Sequence, residues 1–181
     1  MTNVCVYGIY YNKYNIAVIT LRLRDNGETM KIALGADDAG RELKDTIKAE
    51  LERSGYVTED FGLYAPEKTA DYPDYALPAA EAVASGKCDT GILVCGTGIG
   101  MSICANKVKG IRCAHVTDCF SAEATRLHND ANMLALGARV TGEGLALKIV
   151  KTFLETPYSG AERHTRRINK ITAIEKKYCG D

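Results

Sequence analysis

The chain has 181 residues, 46% of them hydrophobic and 25% charged, which suits one soluble globular domain with a sizeable core. Lys+Arg and Asp+Glu both total 23, so the formal charge is +0 and the basic excess of a nucleic-acid binder is missing. No apolar run approaches the ~20 residues that cross a bilayer, and "NIAVITL" lacks the basic flank and the cleavage site of a secretion signal.

Residues 1–29 are rich in Tyr and Asn, and the partial alternation of "NIAVITLRLR" predicts a strand or hairpin. From Met30 strands and helices alternate. "MKIALGA" reads as an apolar strand, and "AGRELKDTIKAELERSG" as an amphipathic helix with Leu43, Ile47 and Leu51 on one face and Gly55 as its C′ glycine. "YVTEDFG" is a second strand. "DYPDYALPAAEAVASGK" is a helix in which Pro78 fits only the first turn or a kink. "DTGILVC" reads as a fully buried strand, "IGMSICANKVKG" as a helix, "IRCAHVTD" as a strand and "CFSAEATRLHND" as a helix. The strand "ANMLALGA" and the helices "TGEGLALKIVKTFLET" and "AERHTRRINKITAIEKKY" complete the chain. Strands separated by helices imply crossover connections. The expected fold is an α/β class, Rossmann-like α/β/α sandwich with a parallel sheet of about five strands.

Seven cysteines and three histidines form no C-x-x-C or H-x-x-x-H pair, so neither a zinc ribbon nor a disulfide framework is indicated. Free thiols in a reducing cytosol, mostly packed as small apolar side chains, are the expectation. His115, inside an apolar strand, reads as structural.

Cys95 ends the third of these strands, and the glycines of "CGTGIG" follow immediately before a helix. Ligands of open α/β sheets bind beyond the carboxyl ends of the strands. Amides of a glycine-rich turn and a helix N-terminus favour negative charge, on a ligand oxygen or on a thiolate. Three chemistries compete. Asp118 stands 22 residues after Gly96, where a ribose-binding acid could sit, but the spacing G-x-G-x-G is not the G-x-G-x-x-G of a dinucleotide fold. A cysteine phosphatase needs an arginine where this chain has Met101. Proton transfer by Cys95, with the loop amides stabilising an enediolate, is the third.

"CGTGIGMSICANKVKGIR", "HNDANMLALGARV" and "ERHTRR" resemble type B ribose-5-phosphate isomerases, within the wider family that includes galactose-6-phosphate isomerase subunits. The likeness runs from residue 30 to about 178. It implies a domain over 30–181 with residues 1–29 as an extension, and a cytoplasmic aldose–ketose isomerase of phosphorylated sugars using no metal and no cofactor. It makes Cys95 the base, with Gly96, Thr97, Gly98 and Gly100 around the enediolate. His128 would assist ring opening and Asn129 would hold a hydroxyl. Asp37 and Tyr72 would line the sugar site, while Arg163 and Arg167 would grip the phosphate. The family shares its sites between subunits, which implies a homodimer or a dimer of dimers, with no nucleic-acid or membrane partner.

Residue chemistry also leaves other roles open. His128 could cap its helix, Tyr72 could be a packing aromatic at a helix start, and His164 could touch the phosphate beside the arginines. One departure stands out: where the family's first strand ends in Asp-His, this chain has Asp37-Asp38. Two like charges ~8 Å apart at an effective dielectric of ~20 repel by ~2 kcal/mol. Asp38 therefore points to weakened phosphate binding, another sugar such as an allose or galactose 6-phosphate, or a protein that binds a sugar phosphate without turning it over.

Overall fold

The computed structural model describes residues 4–12, 15–23, 27–64 and 70–179, with side chains described over 27–64 and 70–178. Strands β1 (Val4–Asn12) and β2 (Asn15–Leu23) pair antiparallel from Val4↔Leu23 to Asn12↔Asn15, the hairpin that the alternation predicts. The α/β body follows as β3 (Lys31–Ala36), α1 (Arg41–Arg53), β4 (Val57–Asp60), α2 (Tyr72–Ala84), β5 (Thr90–Cys95) and α3 (Ile99–Ala105). It ends with β6 (Cys113–His115), α4 (Cys119–Asn129), β7 (Met133–Gly137), α5 (Glu143–Glu155) and α6 (Glu162–Cys179).

The five strands of the body form one parallel sheet in the order β4-β3-β5-β7-β6. Its inner strands β3, β5 and β7 are short and apolar because both faces are covered. On one face Leu43, Ile47 and Leu51 of α1 and Ile149, Val150 and Phe153 of α5 pack against Ile32, Leu34, Ile92, Val94, Leu134 and Leu136. On the other, Ala76, Ala79, Ala80 and Val83 of α2 and Met101 of α3 cover Ala33, Leu93, Cys95 and Ala135. The alanines of α2 let that helix lie close to the sheet. Cys95 thus turns its side chain toward α2 and α3.

Helix ends follow local chemistry. Gly55 (φ +86) closes α1 with Tyr56 N–H donating to Leu51 O at 3.0 Å and Gly55 N–H to Glu52 O at 3.1 Å, the paired bonds of a C′ glycine. Asp118 caps α4 through Ser121 N–H at 2.7 Å, and Ser121 holds its carboxyl below the usual range. That occupation explains an acid at the end of β6 without a ribose.

Some elements differ from expectation. Pro78 lies in the interior of α2, beyond the first turn, which excludes one of the two places expected for it, and there it supplies no N–H to the carbonyl four residues earlier. Helix α3 stops at Ala105, well before Gly110, because Asn106 turns its amide to Cys113: Nδ2 donates to Cys113 O at 2.8 Å and Oδ1 accepts Cys113 N–H at 2.9 Å. Strand β6 is consequently only three residues long, and His115 is exposed at its carboxyl end instead of lying inside it.

Candidate active site

The register of β3 and β5 pairs Ala36 with Val94, so Asp37 and Cys95 leave the sheet side by side. Strand β3 leads to β4 on one side and lies against β5 on the other, which makes this the point where the strand order reverses and where a crevice opens.

Cys95 is buried, and its Sγ accepts the Gly98 N–H at 3.1 Å. Gly98 has φ +80, the left-handed conformation that starts α3, and a Cβ on it would lie 2.7 Å from His115 Cδ2 and 2.8 Å from the Leu136 carbonyl carbon. The loop's carbonyls are bound from behind: Ala138 N–H donates to Cys95 O at 2.9 Å and Arg139 N–H to Gly96 O at 3.0 Å. Among the described residues, the backbone N–H groups of Gly96 and Thr97 donate to no protein acceptor. They remain available to an anion beside the sulfur. Thr97 is exposed, its hydroxyl accepting Ile99 N–H at 3.4 Å.

Tyr72 is both the first residue of α2 and the cover of this loop. Its ring lies against Gly100, where any Cβ would approach ring carbons to 2.9–3.1 Å. The Asp37 Oδ1 accepts Gly40 N–H at 3.0 Å. Burial pushes the Asp37 carboxyl above its ordinary value; the Gly40 and Ala39 amides oppose this, the Asp38 charge adds to it and Arg139 opposes it. Asp38 itself is exposed.

Arg139 is a residue that the sequence reading missed. Its side chain lies over Gly96, with Cδ 3.5 Å and Nε 3.6 Å from where a Cβ would sit. It stands two residues after the end of β7, and a cation just past the carboxyl end of a strand beside β5 was the available signal. His115, read as structural, packs against the glycine loop, its Cδ2 2.7 Å from where a Cβ on Gly98 would sit.

His128, Asn129, Arg163 and Arg167 form a second group at the corner of α4 and α6. His128 and His164 have ring centroids 4.5 Å apart. His164 is 4% exposed, and both its nitrogens are engaged: Nε2 accepts Arg163 Nε–H at 3.0 Å and Nδ1 lies 2.8 Å from Ser159 Oγ. It has no nitrogen left for a phosphate and instead holds Arg163. Desolvation, then the charges of His128, Arg163 and Arg167, lower its pKa, which keeps it the neutral acceptor that Arg163 needs. Arg163 and Arg167 are exposed and one helical turn apart. Asn129 lines a groove of about 470 Å³ under α6. Among the described residues no hydrogen bond, ion pair or ring contact joins this corner to the Cys95 loop.

Other thiols behave differently from a surface nucleophile. Burial pushes Cys88 and Cys104 up, and Cys113 up to about 12, so these stay protonated at neutral pH.

The ribose/galactose isomerase family model matches residues 32–171. The chain is 48% identical to ribose-5-phosphate isomerase B of Escherichia coli over 81% of its length and 97% of that protein. It is 39% identical to D-erythrulose-4-phosphate isomerase 2 of Mycolicibacterium smegmatis over 81% of its length and 97% of that protein. The structure of Clostridium thermocellum ribose-5-phosphate isomerase B superposes with a TM-score of 0.80 at 52% identity, covering 82% of this chain and 99% of that one.

Proposed function

The chain belongs to the ribose/galactose isomerase family, and from that premise we propose that it interconverts ribose 5-phosphate and ribulose 5-phosphate by proton transfer through an enediolate. The observation that carries this reading is the Cys95 sulfur, 3.1 Å from the Gly98 amide at the end of β5 and beside open amides of the same loop.

In this mechanism His128 protonates the ring oxygen as the bond from C1 to that oxygen breaks, the C1 hydroxyl gives its proton to solvent, and the sugar opens to the aldehyde. The Cys95 thiolate takes the C2 proton; the C2–H electron pair forms the C1–C2 double bond, and O1 becomes anionic beside the loop amides. One such donor is worth ~3 kcal/mol in a transition state. The thiol returns the proton to C1 while the O2 proton moves to O1, leaving the ketose. Asp37, Asp38, Tyr72 and Asn129 face the sugar hydroxyls in this reading. Arg163 and Arg167 take the phosphate, with Arg139 as a further cation over the loop.

Two half-sites follow from this assignment, the loop with Asp37 and Tyr72 on one side and the α4–α6 corner on the other. A second copy brings its corner to the first copy's loop, so the working unit is a homodimer or a dimer of dimers. Ile99 and Ile103 of α3, 50% and 56% exposed beside the loop, supply apolar surface for that contact. We place the enzyme in the cytoplasm, with residues 1–29 as an extension to a catalytic domain over 30–181.

The test is proton NMR of ribose 5-phosphate in D₂O with the parent protein and with Cys95→Ala. The parent should exchange the C2 proton and form ribulose 5-phosphate; Cys95→Ala should lose both, by at least ~10³-fold. Binding of ribose 5-phosphate without exchange in the parent would sink the reading. A parallel panel of tetrose and hexose phosphates then reads the effect of Asp38 on substrate choice.

A further inference from the structure

Lys44 lies inside the apolar stripe of α1, only 1% exposed, between the sheet-facing Leu43 and Ile47. Its Nζ is 2.7 Å from Asp60 Oδ2 and 3.0 Å from Asp45 Oδ1, and Lys48 Nζ stands 3.4 Å from the same Asp60 oxygen. Burial alone would push the Lys44 ammonium down, but its hydrogen bonds and charge contacts with Asp60 and Asp45 outweigh that and hold it above the usual lysine value. Lys44 is therefore a cation at neutral pH, facing two carboxylate side chains. A buried ion pair adds little net stability over an apolar replacement. What it fixes is geometry.

That geometry runs to Asp37 by two routes. Along the strand, the other Asp60 oxygen accepts Gly62 N–H at 2.9 Å, Phe61 N–H donates to Leu34 O at 2.7 Å, and Leu63 N–H donates to Ala36 O at 3.0 Å. The backbone beyond β4 thus stays bonded to β3 up to the residue before Asp37. Gly62 is fitted between the partners: a Cβ would lie 2.8 Å from Lys44 Cδ and 2.9 Å from Ala36 N. Tyr64 closes the outside, its hydroxyl near 2.5 Å from the Asp60 carbonyl and its ring centroid 5.3 Å from Lys44 Nζ. Along the helix, Lys44 N–H donates to Gly40 O at 2.9 Å, and Gly40 N–H donates to Asp37 Oδ1 at 3.0 Å.

We propose that the buried Lys44–Asp60 pair is a positioning device for the sugar half of the site, fixing the direction of Asp37 by holding residues 61–64 and the first turn of α1 against the end of β3. This rests on the isomerase reading of the site, and turnover by the parent protein tests that reading separately.

Two variants test the pair. Lys44→Met/Asp60→Asn removes both charges and keeps their volume; Gly62→Ala keeps both charges and wedges a methyl group between Lys44 and Ala36. In each, kcat/KM for ribose 5-phosphate should fall by roughly tenfold or more. The inhibition constant of inorganic phosphate should stay that of the parent, because phosphate is assigned to the α4–α6 corner. General loosening of the fold would move both quantities together. Should the double variant not fold, Gly62→Ala carries the test. An NMR titration of the Asp37 carboxyl carbon needs no turnover, and its midpoint should differ between Gly62→Ala and parent. An unchanged kcat/KM in a folded variant, or an unchanged Asp37 midpoint, overturns the proposal.

Discussion

Asp38 adds a carboxylate next to Asp37 in a site assigned to a phosphorylated sugar. It is exposed, so its repulsion of a dianion is partly screened. Asp38→His should lower KM for ribose 5-phosphate by roughly tenfold, from a penalty of ~2 kcal/mol before screening, and an unchanged KM in steady-state assays would show that Asp38 points away from the ligand. Asp37 has its carboxyl raised from 3.8, chiefly by burial, so the ionised group costs the folded state free energy. Its contribution to stability is present below 3.8 and lost as pH rises through the raised folded value. Asp37→Asn should therefore melt higher than the parent at pH ~7 and lose that advantage near pH ~3, even as activity falls; equal melting temperatures at both pH values would refute this. Cys95 was legible at this scale as a candidate, because a cysteine before three glycines at a strand end lies where negative charge is favoured, though three chemistries competed for it until the family resemblance. Arg139 and His115 were not, because each reaches the loop across neighbouring strands, and separation in sequence hides lateral contact. His164 was legible as a neighbour of the arginines, but its role as their support needed the Ser159 and Arg163 contacts.

Elements explain why the loop keeps its shape. Strand β5 ends in a turn whose carbonyls are tied to Ala138 and Arg139, and Gly98 is the only loop residue at positive φ. Gly98→Ala would cost about 1–2 kcal/mol in conformation alone, with more from the contacts at 2.7 and 2.8 Å to His115 and Leu136. The same change moves the amide that faces Cys95 Sγ. The expected result is a folded protein, melting a few degrees lower, with kcat reduced by ~10²-fold or more; parent-like kcat by the ribulose 5-phosphate assay would remove that amide from the mechanism. Strand and helix identities from Met30 onward were readable because apolar runs and four-residue spacings state which surface is buried. Lengths were less so. Asn106 ends α3 through a side-chain bond to β6, and Lys44 sits buried within a stripe whose pattern asks for apolar residues, because Asp60 meets it from another element. Such endings and exceptions depend on a partner distant in sequence.

At the scale of the whole molecule, the proposed mechanism requires the Cys95 loop to meet the α4–α6 corner. The proposed mechanism draws on both groups, yet each is built by its own elements: β3, β5 and α2 for the first, α4 and α6 for the second. The order of the sheet was foreseeable only as parallel and five-stranded, since strand order depends on which crossover covers which face. If two copies complete each other's sites, two different inactive variants can restore one good site between them. Cys95→Ala keeps a sound α4–α6 corner, and Arg163→Ala/Arg167→Ala keeps a sound loop. A mixed dimer then holds one site with both halves intact and one with both halves damaged. Random pairing of equal amounts makes about half of the dimers mixed, so activity should recover to about a quarter of the parent's. The measurement is ribulose 5-phosphate formation after the two variants are co-refolded or co-expressed, set against each variant alone. Recovery that rises with the mixed fraction requires a shared site. If every site lay within one chain, each dimer in the mixture would contain only damaged sites, and no ratio of the two variants would restore turnover.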